Sequence, residues 1–217
     1  MNDTLNTDHE RTETGQQRRS ASLLKHRVLD LEERRIAETL AWAREDPSLE
    51  RAAALIVSAR RRFVIGASTS FTYASLLAAE LGAAIANVTL VDGTIVRPLD
   101  VLSDVRSSDV MIAVSLTRYR KYTVDVAVPF AKAGGRLVVI TDSPDAPLVP
   151  YATESIIVKP STRAGETAPT TVAVVIHLLA TLITASAKGA ARRLVERERL
   201  AASLGVYVDD DAYVEER

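Results

Sequence analysis

The fold is decided by residues 109–123, DVMIAVSLTRYRKYT, where an apolar run of strand length ends abruptly in hydroxyls and cations. The run is short, almost continuous and rich in aliphatic residues, which is typical of a strand buried on both faces of a sheet. Four similar runs accompany it along the chain: FVIGA at 63–67, NVTLV at 87–91, RLVVIT at 136–141 and ESIIVKP at 154–160. Five buried strands are therefore predicted.

Segments with helical periodicity separate these strands and indicate how they connect. SFTYASLLAAELG follows the first strand and KYTVDVAVPFAKAGG follows the third. A helix between two buried strands implies a right-handed crossover and parallel pairing. Gly82, Gly134 and Gly135 stand where glycine ends a helix. The sequence thus predicts an α/β fold with a doubly wound, five-stranded parallel sheet.

Further helices are expected on both sides of the sheet-forming region. Apolar residues recur at helical spacing from Leu24 to Leu40, and AARRLVERERLAASLG predicts a charged helix after the last strand. We expect a disordered polar tail at 1–22, because that stretch has no hydrophobic periodicity. One domain with its linker helices is expected at 23–205, followed by an acidic tail at 206–217.

Composition excludes several classes of function. The 217 residues carry a formal net charge of −1, so the chain alone has no basic excess with which to bind DNA. Cysteine is absent and the three histidines are far apart in sequence, so neither a metal site nor another cofactor is expected. The first residues lack the apolar core of a signal peptide, which predicts a cytoplasmic protein.

One uncharged stretch, 167–187, is about as long as the roughly 20 residues of a membrane span. It also contains Pro169, His177 and several threonines, which favour a helix buried against the sheet. No membrane association is therefore expected.

Two strand ends carry groups suited to an anion. In an open sheet of order 2-1-3-4-5, ligands bind where the strand order reverses, between the first and third strands. The first strand ends in GASTS at 66–70 and the third in SLT at 115–117, so both loops offer hydroxyls near a helix N-terminus. Backbone N–H groups and hydroxyls in such loops can hold a phosphate.

The cations that follow the third strand strengthen this expectation. Arg118, Arg120 and Lys121 precede or open a helix, where positive charge faces the positive end of the helix dipole. A bound anion would make that arrangement favourable. The alternative is that these side chains reach into solvent or pair with carboxylates of a neighbouring subunit.

From residue 28 to about 186 the chain resembles the SIS (sugar isomerase) domain, and specifically the phosphosugar-binding half of RpiR-family transcriptional regulators. The resemblance rests on VLDLEERRIAETLAWAREDPSLERAAALIVSARRRFVIGAS and on DVMIAVSLTRYRKYTVDVAVPFAKAGGRLVVITDSPDAPLVPYA. It implies a flavodoxin-like fold, homodimers or homotetramers, and a sugar phosphate or related small anion as ligand. Those regulators also have an N-terminal helix-turn-helix, for which residues 1–22 offer no hydrophobic core.

The resemblance also implies the positions of the phosphate-binding residues. They fall on Ser115 and Thr117, and on Ser68 or Ser70. The family's S-x-S-G-x-T loop has Arg118 here at its glycine and Arg120 at its threonine. These two arginines imply either a different hold on the phosphate or another anion, such as a sugar acid.

Three hypotheses for the function follow. The first is a phosphosugar-binding sensor related to RpiR regulators. The alternative is an aldose-ketose sugar-phosphate isomerase of the same fold, with Glu80, Glu166 or His177 as the acid or base that moves the proton. A third is a partner that assembles with a regulator through the stripe from Leu24 to Leu40. Whether the chain is an enzyme stays open at this point.

Overall fold

The structure is a computed structural model that describes residues 4–158 and 167–207, with side chains described from residue 21 onward. In those residues the chain forms seven α-helices and five strands. The helices are α1 (Thr4–Glu45), α2 (Ser48–Ser58), α3 (Thr69–Ala84), α4 (Pro98–Leu102), α5 (Lys121–Lys132), α6 (Pro169–Ser186) and α7 (Ala190–Ser203). The strands are β1 (Arg61–Ile65), β2 (Val88–Val91), β3 (Asp109–Val114), β4 (Arg136–Thr141) and β5 (Glu154–Ile157).

All five strands pair in parallel in the order β2-β1-β3-β4-β5. The predicted doubly wound sheet and its strand order are therefore confirmed. In the centre of the sheet Ile65 of β1 pairs with Ala113 of β3. The loops that follow these two strands consequently leave the same edge of the sheet side by side.

Alternate side chains of the strands supply two separate cores. On one face Val64, Ile112 and Val138 pack with helices α2, α3 and α6. On the other face Phe63 and Met111 pack with α4 and α5. Because every residue of β3 is buried, its sequence is a continuous apolar run after Asp109.

The second half of the first helix packs on the domain. Thr39 and Trp42 lie against the core, whereas Leu24 and Val28 of the predicted apolar stripe are exposed. Helix α1 begins at Thr4, inside the stretch for which the sequence predicts a polar tail. The domain boundary at residue 22 stays a prediction, as does the acidic tail, of which residues 208–217 lie outside the described part of the chain.

Helix α6 is the uncharged segment of the sequence. Among the described residues it is the one helix long and apolar enough to cross a membrane, and 39% of that window is buried inside the domain. Val172, Ile176 and Leu179 belong to the core beside the sheet. The prediction of a helix buried against the sheet is confirmed.

The predicted helix stops have different outcomes. Gly134 follows the end of α5 with φ of +93°, a left-handed conformation that favours glycine, so this prediction is confirmed. The prediction for Gly82 is wrong, because α3 continues through it to Ala84. Burial of Leu81 and Ala84 against the core outweighs the weak helix propensity of glycine there.

A buried ion pair joins the amino ends of β1 and β3. The side chain of Asp109 is 0% exposed, and its two oxygens accept hydrogen bonds from Arg61 Nε at 3.0 Å and Arg61 Nη2 at 2.6 Å. The backbone N–H of Arg106 donates to the same carboxylate at 2.8 Å. Burial raises the pKa of Asp109, but these hydrogen bonds and the arginine charges outweigh it, so the pKa lies below its usual value.

We expect Asp109→Asn to lower the free energy of unfolding at pH 7 by about 1 to 3 kcal/mol, because the variant leaves charged donors unsatisfied. The folded-state pKa is depressed, so the carboxylate stabilises the fold above the unfolded pKa of about 3.9 and loses this effect as pH falls through the folded pKa. Urea titrations between pH 7 and pH 3 should show the difference from the wild type shrinking at the acid end.

The matched control is Asp125→Asn, which removes the exposed ion pair with Lys121 on α5. That change should alter stability by no more than about 0.5 kcal/mol. If Asp109→Asn lowered the free energy of unfolding no more than Asp125→Asn did, the pair of Arg61 and Asp109 would not have the stabilising role described.

Candidate ligand site at the strand switch point

A polar cleft of about 320 Å³ opens at the carboxyl edge of the sheet, between the ends of β1 and β3. It lies at the point where the strand order reverses, as predicted. Its lining comes from the loops after β1, β3 and β4 and from the start of α6. The lining residues are Ala67, Ser68, Thr69, Ser70, Tyr73, Leu116, Thr117, Arg118, Arg120, Asp142, Thr167 and Pro169.

One wall of the cleft is the turn from β1 into α3. Gly66 permits this turn, because a Cβ there would stand 2.5 Å from the carbonyl oxygen of Ser70. Ser68 is the N-cap residue with φ of 56°, yet its side chain makes no capping hydrogen bond. Its hydroxyl accepts a hydrogen bond from Arg120 Nη2 at 3.2 Å instead. The positive end of the α3 dipole therefore faces the cleft together with a hydroxyl and a guanidinium.

The opposite wall is the loop from β3 into α5. Arg118 has φ of +69°, a left-handed backbone conformation that favours glycine. A side chain with Cβ pays about 1 kcal/mol or more for that conformation. Arg120 is the N-cap residue of α5, with an extended backbone. The loop thus keeps a glycine-type backbone while it brings two guanidinium groups to the cleft.

Asp142, at the carboxyl end of β4, holds this loop in place. Its side chain accepts hydrogen bonds from the backbone N–H of Thr117 at 2.7 Å and from the Tyr119 hydroxyl at 3.0 Å. The hydroxyl of Thr117 donates to the same carboxylate. Asp142 is 3% exposed, so these bonds replace most of its hydration.

Tyr119 shares the environment of that carboxylate. Burial raises the pKa of the Tyr119 phenol. The hydrogen bond to Asp142 and the negative charge of that carboxylate raise this pKa further. The phenol therefore stays protonated and keeps donating its hydrogen bond to Asp142 across the neutral pH range.

Five of the six predicted ligand-binding residues line the cleft, namely Ser68, Ser70, Thr117, Arg118 and Arg120. Ser115 does not: it is 3% exposed, and its Oγ has no hydrogen-bond partner among the described residues. It directly follows β3, and its N–H donates to the Ile140 carbonyl at 2.9 Å. The hydroxyl of Thr117 is committed to Asp142, so it does not offer its proton to a ligand.

The remaining candidates lie elsewhere. Lys121 extends into solvent, 86% exposed, and pairs with Asp125. His177 on α6 is 72% exposed and its Nδ1 lies 3.7 Å from Glu80 of α3, and neither residue lines the cleft. The exposed position differs from the core environment that the apolar sequence around His177 favours, and the prediction of an interface position stays a prediction. Glu166 lies outside the described residues.

The sequence interpretation missed Asp142 and Tyr73 as parts of the site. A usable signal was present for Asp142, because a polar residue directly after β4 must lie at the same edge as the loop after β3. Tyr73 gives no such signal, since it lies in an apolar helical pattern. Within the described part of the chain, no group of three or more histidine or acidic side chains is placed to hold a metal ion.

Fold and cleft together define a doubly wound α/β domain with a polar cleft at its topological switch point. The family model of the SIS domain matches residues 55–186, more than half of the chain. The chain therefore belongs to the SIS domain family. Among curated proteins, no sequence relative matches it significantly.

Solved structures with this fold include regulators and isomerase-like proteins. The sugar isomerase domain of an RpiR transcription factor from Sphaerobacter thermophilus has a TM-score of 0.70 and 22% identity, covering 82% of this chain and 97% of that one. The Vibrio vulnificus NanR protein complexed with ManNAc-6P has a TM-score of 0.68 and 18% identity, covering 85% of this chain and 73% of that one.

A third structure comes from Methanococcus jannaschii, a hypothetical protein for which the function of a 3-hexulose-6-phosphate isomerase was inferred. Its TM-score is 0.63 at 16% identity, covering 79% of this chain and 97% of that one. At these identities the likenesses establish the fold, which both regulators and isomerase-like proteins share.

We expect Asp142→Asn to destabilise the protein by about 1 to 3 kcal/mol, because an amide cannot accept from all the donors that the carboxylate satisfies. The effect should be local, and the backbone amide of Thr117 should exchange with deuterium faster than in the wild type. Chemical denaturation and amide exchange measured by mass spectrometry check both parts.

Asp145→Asn is the control, since Asp145 is an exposed carboxylate in the same loop. It should change stability by less than about 0.5 kcal/mol. Unchanged protection of residues 115–120 in Asp142→Asn would refute the anchoring role.

Proposed function

We propose that this chain binds a sugar phosphate in the cleft and acts as a ligand-sensing domain related to those of RpiR-type transcriptional regulators. The proposal rests on one observation: the Ser68 hydroxyl, the positive end of α3 and the guanidinium of Arg120 converge on a single cleft. Charge-assisted donors of this kind are those that phosphate groups select.

The charge of the cleft favours an anionic ligand. Arg118 and Arg120 contribute two positive charges and Asp142 one negative charge. The carboxylate of Asp142 accepts hydrogen bonds from Thr117 and Tyr119, which hold it against the loop. The guanidinium of Arg120 lines the cleft and contacts the neutral Ser68 hydroxyl, so it supplies a positive group for a phosphate monoester.

The size and polarity of the cleft favour a small sugar over a larger nucleotide. A volume of about 320 Å³ is at the lower end of the range for ligand pockets. Thr69, Ser70 and Tyr73 contribute hydroxyl groups beside the cationic part. Such groups can donate to and accept from the hydroxyls of a sugar.

Binding without catalysis is favoured by the acid–base groups near the cleft. Asp142 is the one carboxylate among the described lining residues, its oxygens are engaged, and the described lining contains no histidine. Proton transfer between sugar carbons needs a base within hydrogen-bonding reach of the substrate. The isomerase alternative would depend on Glu166 or on groups outside the described lining.

We further propose that the protein is cytoplasmic and that its chains associate with one another. Exposed Leu24 and Val28 of α1 leave apolar surface uncovered in the single chain. A further apolar groove between α1, α2 and α6 is lined by Leu40, Leu178 and Leu182, among others. These surfaces support a homodimer or homotetramer in which helices of two chains pack together.

Phosphorylated sugars should raise the melting temperature of the protein, whereas the same sugars without phosphate should not, because the phosphate supplies the charged contacts. A thermal-shift panel of hexose 6-phosphates, amino-sugar 6-phosphates, phosphorylated sugar acids and their parent sugars tests this. In calorimetry with the best ligand, Arg120→Gln should weaken binding by about 1 to 3 kcal/mol, or roughly 5- to 150-fold.

Lys121→Gln is the control, because it removes a neighbouring cation that does not line the cleft. The affinity of this variant for the ligand should stay within about twofold of the wild type, because the variant loses only a long-range interaction that salt screens. Equal losses in both variants, or no response to any phosphorylated sugar, would contradict the proposal. If the same samples converted an aldose phosphate into a ketose phosphate, the isomerase function would be supported in place of the sensor function.

Arg118→Gly should have opposite effects on stability and binding. Glycine relieves the left-handed strain, so the free energy of unfolding should rise by up to about 1 kcal/mol. Loss of the guanidinium should lower affinity for the same ligand by at least about fivefold. Denaturation and calorimetry on one preparation measure both.

Arg118→Gln is the matched variant, because it keeps the strained conformation and removes only the charge. It should bind as weakly as Arg118→Gly without the gain in stability. If Arg118→Gly bound as tightly as the wild type, Arg118 would have no part in ligand binding.

A further inference from the structure

A second concave surface lies at the opposite edge of the sheet from the cleft. Arg62, at the start of β1, lines it, whereas the cleft lies beyond the end of β1. It is a groove of about 940 Å³ between α7 and the ends of α2 and α3. We call it the basic groove. Its charged lining residues are Arg62, Lys188, Arg192, Arg193, Glu196 and Arg197.

Most of the positive charge in the basic groove is uncompensated. Its one described carboxylate, Glu196, pairs with Arg199, at 2.7 Å from Nη2. Among the described residues, Lys188, Arg192 and Arg197 form no ion pair. The side chains therefore concentrate positive charge on one face of α7 in a chain whose net charge is −1.

Two of the arginines have structural partners and frame the groove. Arg62 donates to the carbonyl oxygens of Ile56, Val57 and Ala86 at 2.8 to 3.0 Å. Arg193 Nη2 lies 3.4 Å from the carbonyl oxygen of Gly82. An anion could therefore bind to the remaining cations, which are Lys188, Arg192 and Arg197. The first turn of α7 contains no acidic residue that would oppose this.

The same chain contains a matching anion. Residues 208–217, VDDDAYVEER, carry five carboxylates and one arginine on their side chains. We call this stretch the acidic segment. It follows α7 directly in sequence, so its effective concentration at the basic groove is high. Its carboxylates form two groups, Asp209–Asp210–Asp211 and Glu215–Glu216, separated by three residues.

A tight turn ends α7 and redirects the chain before the acidic segment. Gly205 has φ of +58° and its N–H donates to the Ala202 carbonyl at 3.2 Å. The N–H of Val206 donates to the Ala201 carbonyl, five residues earlier, at 3.0 Å. These two bonds form a Schellman motif, which ends the helix and leaves the following residues free of its axis.

The length of the acidic segment matches the distance to be covered. From Arg192 to Ser203 the helix rises about 16 Å at 1.5 Å per residue. Ten extended residues span up to about 33 Å. The aspartates can therefore reach Arg197 while the glutamates reach Arg192 and Lys188.

We propose that the basic groove binds the acidic segment of the same chain. Each group of carboxylates then meets cations that the folded domain leaves without partners. This surface is separate from the cleft, so the proposal does not depend on the sugar-phosphate proposal.

Carbodiimide cross-linking of the full chain tests the proposal. The reagent joins the Lys188 amine to a nearby carboxylate as an amide, with net loss of water. Peptide mass spectrometry should find Lys188 joined to the acidic segment, and Lys121, on a distant helix, should not be joined to it. Raising the salt from about 0.05 to 0.5 M should lower the yield severalfold, because salt screens the attraction.

The acidic segment could come near Lys188 merely because the chain connects it to α7. A double variant distinguishes this proximity from binding to the basic groove. Arg192→Gln with Arg197→Gln keeps the reacting lysine and the tether but removes two cations. Its cross-link yield should fall at least about threefold at low salt while its melting temperature stays close to that of the wild type. An unchanged yield would overturn the proposal.

Two further results would also overturn it. If a subunit-exchanged mixture of isotopically heavy and light protein gave heavy–light cross-links in the statistical proportion expected for pairs of chains, the acidic segment of a second chain would occupy the groove. Tripolyphosphate at low salt should bind at least about fivefold more tightly when the five carboxylates are changed to amides, since the competing segment is then neutral. Equal binding to both proteins would show that the groove is open to external polyanions.

Discussion

Parallel pairing of β1 with β3 is the constraint on which the cleft depends. Because the two strands run in the same direction and are neighbours, their following loops leave from one edge with helices on opposite faces. Loops that diverge in this way leave a crevice between them, and the cleft of this protein lies there. The sheet supplies the cavity, and the residues of the two loops decide its chemistry.

The fold was predictable because its signals are local and mutually consistent. Each buried strand is a short apolar run and the connecting segments have helical period, so parallel pairing followed from the topology rules. The strand order was taken as a common one for such sheets. Where local and tertiary signals conflict, the sequence misleads. Gly82 favours a helix end, but the buried neighbours Leu81 and Ala84 carry α3 past it.

The site was predictable in position and less so in detail. Placing hydroxyls and cations after β1 and β3 needs only the strand order, and most of those residues do line the cleft. The local sequence does not show which hydroxyl faces the cleft. Ser115 is buried directly after β3, and the hydroxyl of Thr117 donates its proton to Asp142. Contacts between residues 117 and 142 depend on the register of β3 with β4, which no motif reveals.

The left-handed backbone at Arg118 has a consequence for how such domains diverge. A loop whose shape is fixed by neighbouring hydrogen bonds, here those to Asp142, retains its path whichever side chain stands at the glycine position. Glycine and arginine codons differ by a single base. One point mutation can therefore install a cation in an existing crevice without remodelling the backbone, and the metabolite recognised can change faster than the architecture that recognises it.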